Sequence, residues 1–357
     1  MGFSRLSFNN VRNLQSVELR DLGEINILYG ANGSGKTSIL EGVYLLGVAR
    51  SFRSSQIRTV ISHGCEDCTA FGEWRADGAD SPAVPIGVTR DRHGAVQIRV
   101  GGRNLRSVAE LAGLLPMQVI NARGFDLLTG APNERRQYLD WGVFHVEQGY
   151  QDSWQRFQRA IKQRNTLLRR GKISDSETAT WDRELAQAGE RIDEGRRAYF
   201  ERLVPQFLML AERLSPGLAG MELRYRRGWD AGQTLADALA ATAAGDREQG
   251  YTHVGPQRAD IRLLHDGHGA GETLSRGQQK LVVCALKLAQ GMVFSQQQGR
   301  PCVYLVDDLP SELDSGHCRL VAEVLDELDA QVFITCVQRD EITAAWPDNG
   351  RHRTALF

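Results

Sequence analysis

Residues 30–37 read GANGSGKT and fit the pattern G-x-x-x-x-G-K-[ST] at every position. The pattern cradles phosphate only where a buried strand feeds a tight turn and the turn opens a helix. Both flanks are present. INILYG gathers Ile25, Ile27, Leu28 and Tyr29 into a short apolar run, and SILEGVYLL continues with helical apolar spacing. Gly30, Gly33 and Gly35 admit backbone angles and close approaches that a Cβ blocks. The N–H groups of the turn and of the helix N-terminus then face an anion. Lys36 is expected on the β and γ oxygens of a nucleoside triphosphate, and Thr37 offers a hydroxyl to Mg²⁺. Ala31, Asn32, Ser34 and Ser38 complete the expected lining. A chance glycine-rich turn is the alternative, and both flanks argue against it.

A second half of the site is expected far along the chain. CVYLVDD, residues 302–308, reads as a buried parallel strand ending in two acids. Ligands of open α/β sheets collect at that end of the strands. Asp307 is expected to hold Mg²⁺ and Asp308 to orient an attacking water. A helix cap is the plainer reading of the same acids. Upstream, LSRGQQK opens an apolar-periodic helix, with Ser275 as N-cap and Gln278 at capping-box spacing.

Composition narrows the classes. A chain of 357 residues can bury one large core and carry a second lobe. Its formal net charge of −1 gives no general attraction to nucleic acid, so any DNA surface must be local. Six cysteines are few, and Cys284, Cys302, Cys318 and Cys336 sit in apolar runs, so reduced core thiols are expected. Cys65 and Cys68 form one C-x-x-C without a second pair at zinc spacing. No signal peptide or bilayer-length apolar run is seen, and Leu6 breaks the myristoylation pattern begun by Gly2. A cytoplasmic protein with no membrane partner is expected.

The first part of the chain reads as strands, from RLSFNNV to AVQIRVGG, with Asp/Gly turns such as RADGAD that suggest an antiparallel subsheet. From about Arg135 the period becomes helical. Trp154, Phe157, Ile161 and Leu168 form one apolar stripe, GKISDSET interrupts it, and Trp181 through Leu210 resume it as the second arm of a helical hairpin. The first arm carries Arg156, Arg159, Lys162, Arg164, Arg169, Arg170 and Lys172 against Asp152 alone, a net +6. A solvated face is the ordinary outcome of such a run. The alternative is a positive face for DNA phosphates, led by Arg156, Arg159 and Lys162 and reading backbone more than base sequence.

LSRGQ with SELD, residues 311–314, resembles the signature and D-loop of ABC-type ATPases. The longer stretches PMQVINARGFDLLTGAPNERRQYLDWG and HVGPQRADI resemble the bacterial RecF family of recombination-repair ATPases, over nearly the whole chain. The resemblance implies an α/β fold: an ABC-type ATPase head, mixed sheet plus antiparallel subsheet, split over residues 1–130 and 245–357, with a helical lobe at 131–244. It implies a weak, DNA-stimulated ATPase that pairs as a homodimer with ATP on duplex and ss/ds junctions or gaps. RecR/RecO-type mediators would join it in loading RecA, in recombination, replication and the SOS response. Arg12 and Asn13 would lie near the phosphates, and Ser275, Gly277 and Gln278 would meet the opposite subunit's nucleotide. Gln118, Asn121 and Arg123 are all candidates for the Q-loop. VFITCVQRD holds Cys336 and Gln338 but no histidine where transporter ATPases carry a switch histidine, and Asp308 replaces the commoner Glu, which together imply slow hydrolysis. Gln257 stands where the family's GPHR-like segment has histidine. A transporter ATP-binding subunit and an SMC-like structural ATPase are the alternatives.

Overall fold

The computed structural model describes residues 1–76, 81–170, 175–346 and 350–357. Parts of two expected turns, RADGAD and GKISDSET, and Lys172 of the basic run lie outside the described residues. The chain forms two compact units, Met1–Gly124 with Lys280–Phe357, and Phe125–Gln279.

The first unit contains two sheets. Five strands run parallel in the order His352–Leu356, Ile25–Tyr29, Val332–Cys336, Val303–Val306, Met117–Ile120. The three central strands are buried almost throughout, which is why they read as unbroken apolar runs. The registers bring the carboxyl ends of Ile25–Tyr29, Val332–Cys336 and Val303–Val306 to one edge of the sheet. The other sheet is antiparallel, ordered Leu14–Leu19, Gly2–Val11, Asp67–Arg75, Val84–Asp91, Val96–Val100, Arg103–Asn104. The helix Lys36–Val48 joins the two cores: Ile39, Leu40, Val43 and Leu46 pack in one cluster with Phe3, Phe8, Leu305 and Phe333. Each such buried side chain contributes about 1.5–3 kcal/mol of transfer free energy, so this helix start cannot drift. All six cysteines are free, and burial pushes the Cys68 thiol up to about 11.

In the second unit, helices Tyr150–Leu168 and Asp175–Leu214 pack as the expected hairpin. The buried face of the first is Tyr150, Ser153, Phe157, Ala160, Arg164 and Leu168. Trp154, expected in the apolar stripe, is 41% exposed instead. The face is turned because polar Arg164 is drawn inward by Asp182, Asp246 and Thr252. Arg164 therefore leaves the positive face on which the run of charges had placed it. Two strands, Met221–Arg226 and Asp260–His265, pair antiparallel with each other. That pairing, and the Arg135–Asp260 ion pair at 2.7 Å, keep residues 245–279 with the helices. The division at Gln279 differs from the return to the head expected at 245.

Candidate nucleotide site

The strand Ile25–Tyr29 ends in the loop that the motif occupies, and Lys36 begins the following helix. Gly30, Gly33 and Gly35 have φ of +146°, +83° and +114°. At Gly30 a Cβ would stand 2.0 Å from the carbonyl oxygen of Phe357, a clash with backbone that no side chain could relieve. Lys36 donates to the carbonyl oxygens of Gly30 at 2.6 Å and Ala31 at 2.8 Å. An ammonium has three donors, so one remains for an anion at the loop.

Thr37 donates from Oγ1 to Oδ1 of Asp307 at 2.9 Å, and Thr335 donates to the same oxygen at 2.9 Å. Residues 270 apart in sequence thus share one oxygen. The backbone N–H of Asp308 donates to Thr335 Oγ1 at 2.8 Å, fixing the turn in which Asp308 has φ +55°. Burial raises the Asp307 carboxyl above the usual carboxylate range. Asp308 pushes the same way, against the hydrogen bonds from Thr335 and Thr37. Asn13 accepts from Ser38 Oγ at 2.7 Å and donates to the Gly33 carbonyl at 3.3 Å, tying the antiparallel sheet to the loop. Arg12 lines the cleft, but its guanidinium is committed to fully buried Glu41 through two bonds of 2.8 Å.

These groups line one cleft of about 700 Å³, together with Asn32, Gly35, Lys36 and Thr37. Sequence reading missed Thr335, although register places it beside Asp307: Val306 pairs with Ile334 one residue earlier. It also missed Glu41, a single acid inside an apolar helix, and the cationic wall of Arg53, Arg58 and Arg92. Of the Q-loop candidates, Gln118 is buried and donates to Gln290 at 3.2 Å, while Asn121 caps its own turn by accepting from the Arg123 N–H. Gln338 forms a capping box with Glu341, and Gln257 donates to the Val254 carbonyl.

Ser275 belongs to the second unit. Its hydroxyl accepts from the Gln278 N–H at 3.3 Å and its own N–H donates to Gln278 Oε1 at 3.0 Å, the reciprocal capping box that the spacing predicts. An added Cβ on Gly277 would meet nothing within 4 Å, so this helix start presents an open face. On the basic helix, Arg156 is held by Glu184 at 2.6 and 3.0 Å, whereas Arg159 and Lys162 are exposed.

Comparison with known proteins bears on what such a site serves. The family RecF/RecN/SMC N terminal domain matches residues 3–350. The DNA replication and repair protein RecF of Pseudomonas syringae pv. syringae (strain B728a) is 52% identical over 97% of this chain and 94% of its own length. The chain belongs to the RecF family. The RecF protein of Stutzerimonas stutzeri (strain A1501) is 51% identical, again over 97% of this chain and 93% of its own. A solved structure of the recombination mediator protein RecF with ATP, in the RecFOR pathway, has a TM-score of 0.86. It is 26% identical over 95% of this chain and 92% of that one. An Smc head bound to the C-winged helix domain of ScpA, 17% identical over 96% of this chain and 91% of that one, has a TM-score of 0.56 and shares the fold. RecF-family membership makes this a DNA replication and repair protein with an SMC-like ATPase fold. Among the described residues no helix is long and apolar enough to cross a membrane.

Proposed function

We propose that this chain binds ATP with Mg²⁺ in the cleft at the parallel-sheet edge, and that ATP-driven homodimerisation controls a sequence-independent grip on DNA. One observation carries the reading: in a RecF-family chain, Thr37, Asp307 and Thr335 converge beside the Gly30–Lys36 loop. Hard oxygen donors suit Mg²⁺, which keeps waters and shares phosphate oxygens, so one or two carboxylates suffice. When bound, Mg²⁺ neutralises charge on the β- and γ-phosphates. Lys36 adds a point charge, the loop N–H groups orient the phosphates, and Asp308 orients the attacking water.

The same reading gives Ser275, Gly277 and Gln278 the opposite subunit's γ-phosphate, as a helix N-terminus favours an anion. Arg159 and Lys162, with Arg156 less available, meet phosphates of duplex DNA and ss/ds junctions. RecR/RecO-type mediators and RecA loading at gaps follow from the RecFOR setting of the solved relative, and with them a cytoplasmic location. Family membership over residues 3–350 leaves a transporter subunit without support.

The test is DNA binding to gapped, duplex and single-stranded substrates with ATP, ADP and no nucleotide. Tighter binding to gapped DNA with ATP is expected. Equal binding in all nucleotide states would sink the coupling. The lack of a histidine in VFITCVQRD, at the end of the Val332–Cys336 strand, favours a second reading, an SMC-like latch without turnover. ATP hydrolysis measured with and without DNA separates the two.

A further inference from the structure

The second unit holds a cleft of about 1030 Å³ whose walls carry Arg197, Arg226, Arg227 and Arg258 around Trp229 and Asp230. Backbone contact assembles it. Arg226 ends the strand Met221–Arg226 opposite Asp260, and Arg258 ends the turn Pro256–Arg258 just before that residue. The two loops touch through glycines. A Cβ on Gly228 would stand 2.3 Å from the Gly255 carbonyl oxygen and 2.8 Å from the Ala259 nitrogen. Gly228 and Gly255 have φ of +97° and +124°, and the Gly255 N–H donates to the Gly228 carbonyl at 3.3 Å.

Two charges of the cleft are used internally. Arg227 stacks on Trp229, 3.9 Å from the ring centroid, and donates to Glu190 at 2.9 Å. Asp260 accepts two bonds from Arg135, at 2.7 and 3.1 Å. The side chains of Arg197, Arg226 and Arg258 are exposed, and none forms a side-chain hydrogen bond or ion pair with another described residue; the Arg258 guanidinium lies 5.3 Å from the Tyr251 ring centroid, and Arg197 acts on Asp193 only through its charge. Asp230 is the remaining carboxylate of the wall, and it accepts from the Gly232 N–H at 2.7 Å. Three guanidinium groups, none of them bonded to a carboxylate, repel one another, and an anionic partner relieves that repulsion. Their forked donors match phosphate oxygens two at a time. They come from three separate stretches of chain, so a partner must offer several anionic groups in succession.

We propose that this cleft holds the phosphodiester backbone of DNA, as a contact separate from the Tyr150–Leu168 helix and indifferent to base sequence. The proposal rests on the DNA-binding reading above. The test uses the full chain with ATP, the triple variant Arg197→Gln, Arg226→Gln, Arg258→Gln, and fluorescence anisotropy on two duplexes of unrelated sequence across a salt series. ATP affinity by calorimetry and binding of a poly-glutamate peptide are measured in parallel. The variant should lose about tenfold or more in DNA affinity, and its salt slope should flatten by about two to three, since each duplex phosphate contact contributes about 0.9. Both duplexes should respond alike, with ATP binding unchanged. Unaltered DNA affinity and slope would overturn the site, and so would a loss confined to poly-glutamate, which would assign the cleft to an acidic protein. If the triple variant does not fold, Arg226→Gln and Arg258→Gln made separately should each flatten the slope by about one, and no change in either overturns the site. Wild-type protein that binds ATP and no DNA overturns the wider reading as well; wild-type DNA binding with an indifferent triple variant overturns this cleft alone.

Discussion

Lys36 holds two loop carbonyls and keeps one donor for phosphate, so its loss acts twice. Lys36→Met should lower ATP affinity by about tenfold or more, because a charge-assisted contact is worth about 1.5–3 kcal/mol. Calorimetric titration checks this, and an unchanged affinity would refute the site. Asp307 carries a sign that can be tested. Its folded carboxyl is raised, chiefly by burial. Its contribution to stability is therefore fully present below the unfolded carboxylate range and lost as pH rises through the raised folded value. Asp307→Asn removes that loss. Thermal unfolding at neutral pH without divalent cation should give a Tm equal to or above wild type, while the Mg²⁺ dependence of nucleotide binding disappears. A lower Tm would mean that the carboxylate's hydrogen bonds to Thr37 and Thr335 outweigh its burial. Asp308→Asn should leave ATP binding intact and slow hydrolysis by about 10²-fold or more, as expected for loss of a positioned base; normal turnover would remove Asp308 from that role.

Periodicity made some elements legible and left others hidden. The loop, its helix, the double acid and the capping box of Ser275 were readable because each depends on residues within a few positions. The apolar stripe of the Tyr150–Leu168 helix was read about one position off at Trp154. Spacing counts apolar side chains and cannot see that Arg164 is turned inward by acids at 182 and 246. Thr335 was invisible for a related reason: its role comes from its neighbour strand's register and not from its own segment. The strand His352–Leu356 alternates too weakly to announce itself, and pairing with Ile25–Tyr29 creates it. For the basic helix, the structure sharpens the expectation. Arg159→Gln with Lys162→Gln should flatten the salt slope of DNA binding by up to about two, and Arg156→Gln less, since Glu184 already holds it. Equal effects of all three would show that the Arg156–Glu184 pair opens on DNA.

At the scale of the molecule the two compact units each hold part of the proposed reaction, the phosphate loop in one and Ser275 in the other. A two-fold dimer makes two composite sites. Ser275→Arg should leave ATP binding to each monomer intact and abolish ATP-dependent pairing in sedimentation. Mixed with Lys36→Met protein it should recover about one site of two; a Ser275→Arg protein that still pairs like wild type would reduce Ser275 to a helix cap. The parallel sheet carries a different consequence. Its outermost strand, residues 352–356, flanks Ile25–Tyr29, and the Phe357 backbone rests against Gly30 and donates to the Tyr29 carbonyl at 2.9 Å. A chain emerging from the ribosome therefore exposes its phosphate loop more than 300 residues before the strand that braces it. Long-range closure of this kind is slow, so the phosphate loop should be among the last parts of the first unit to gain its native surroundings during folding.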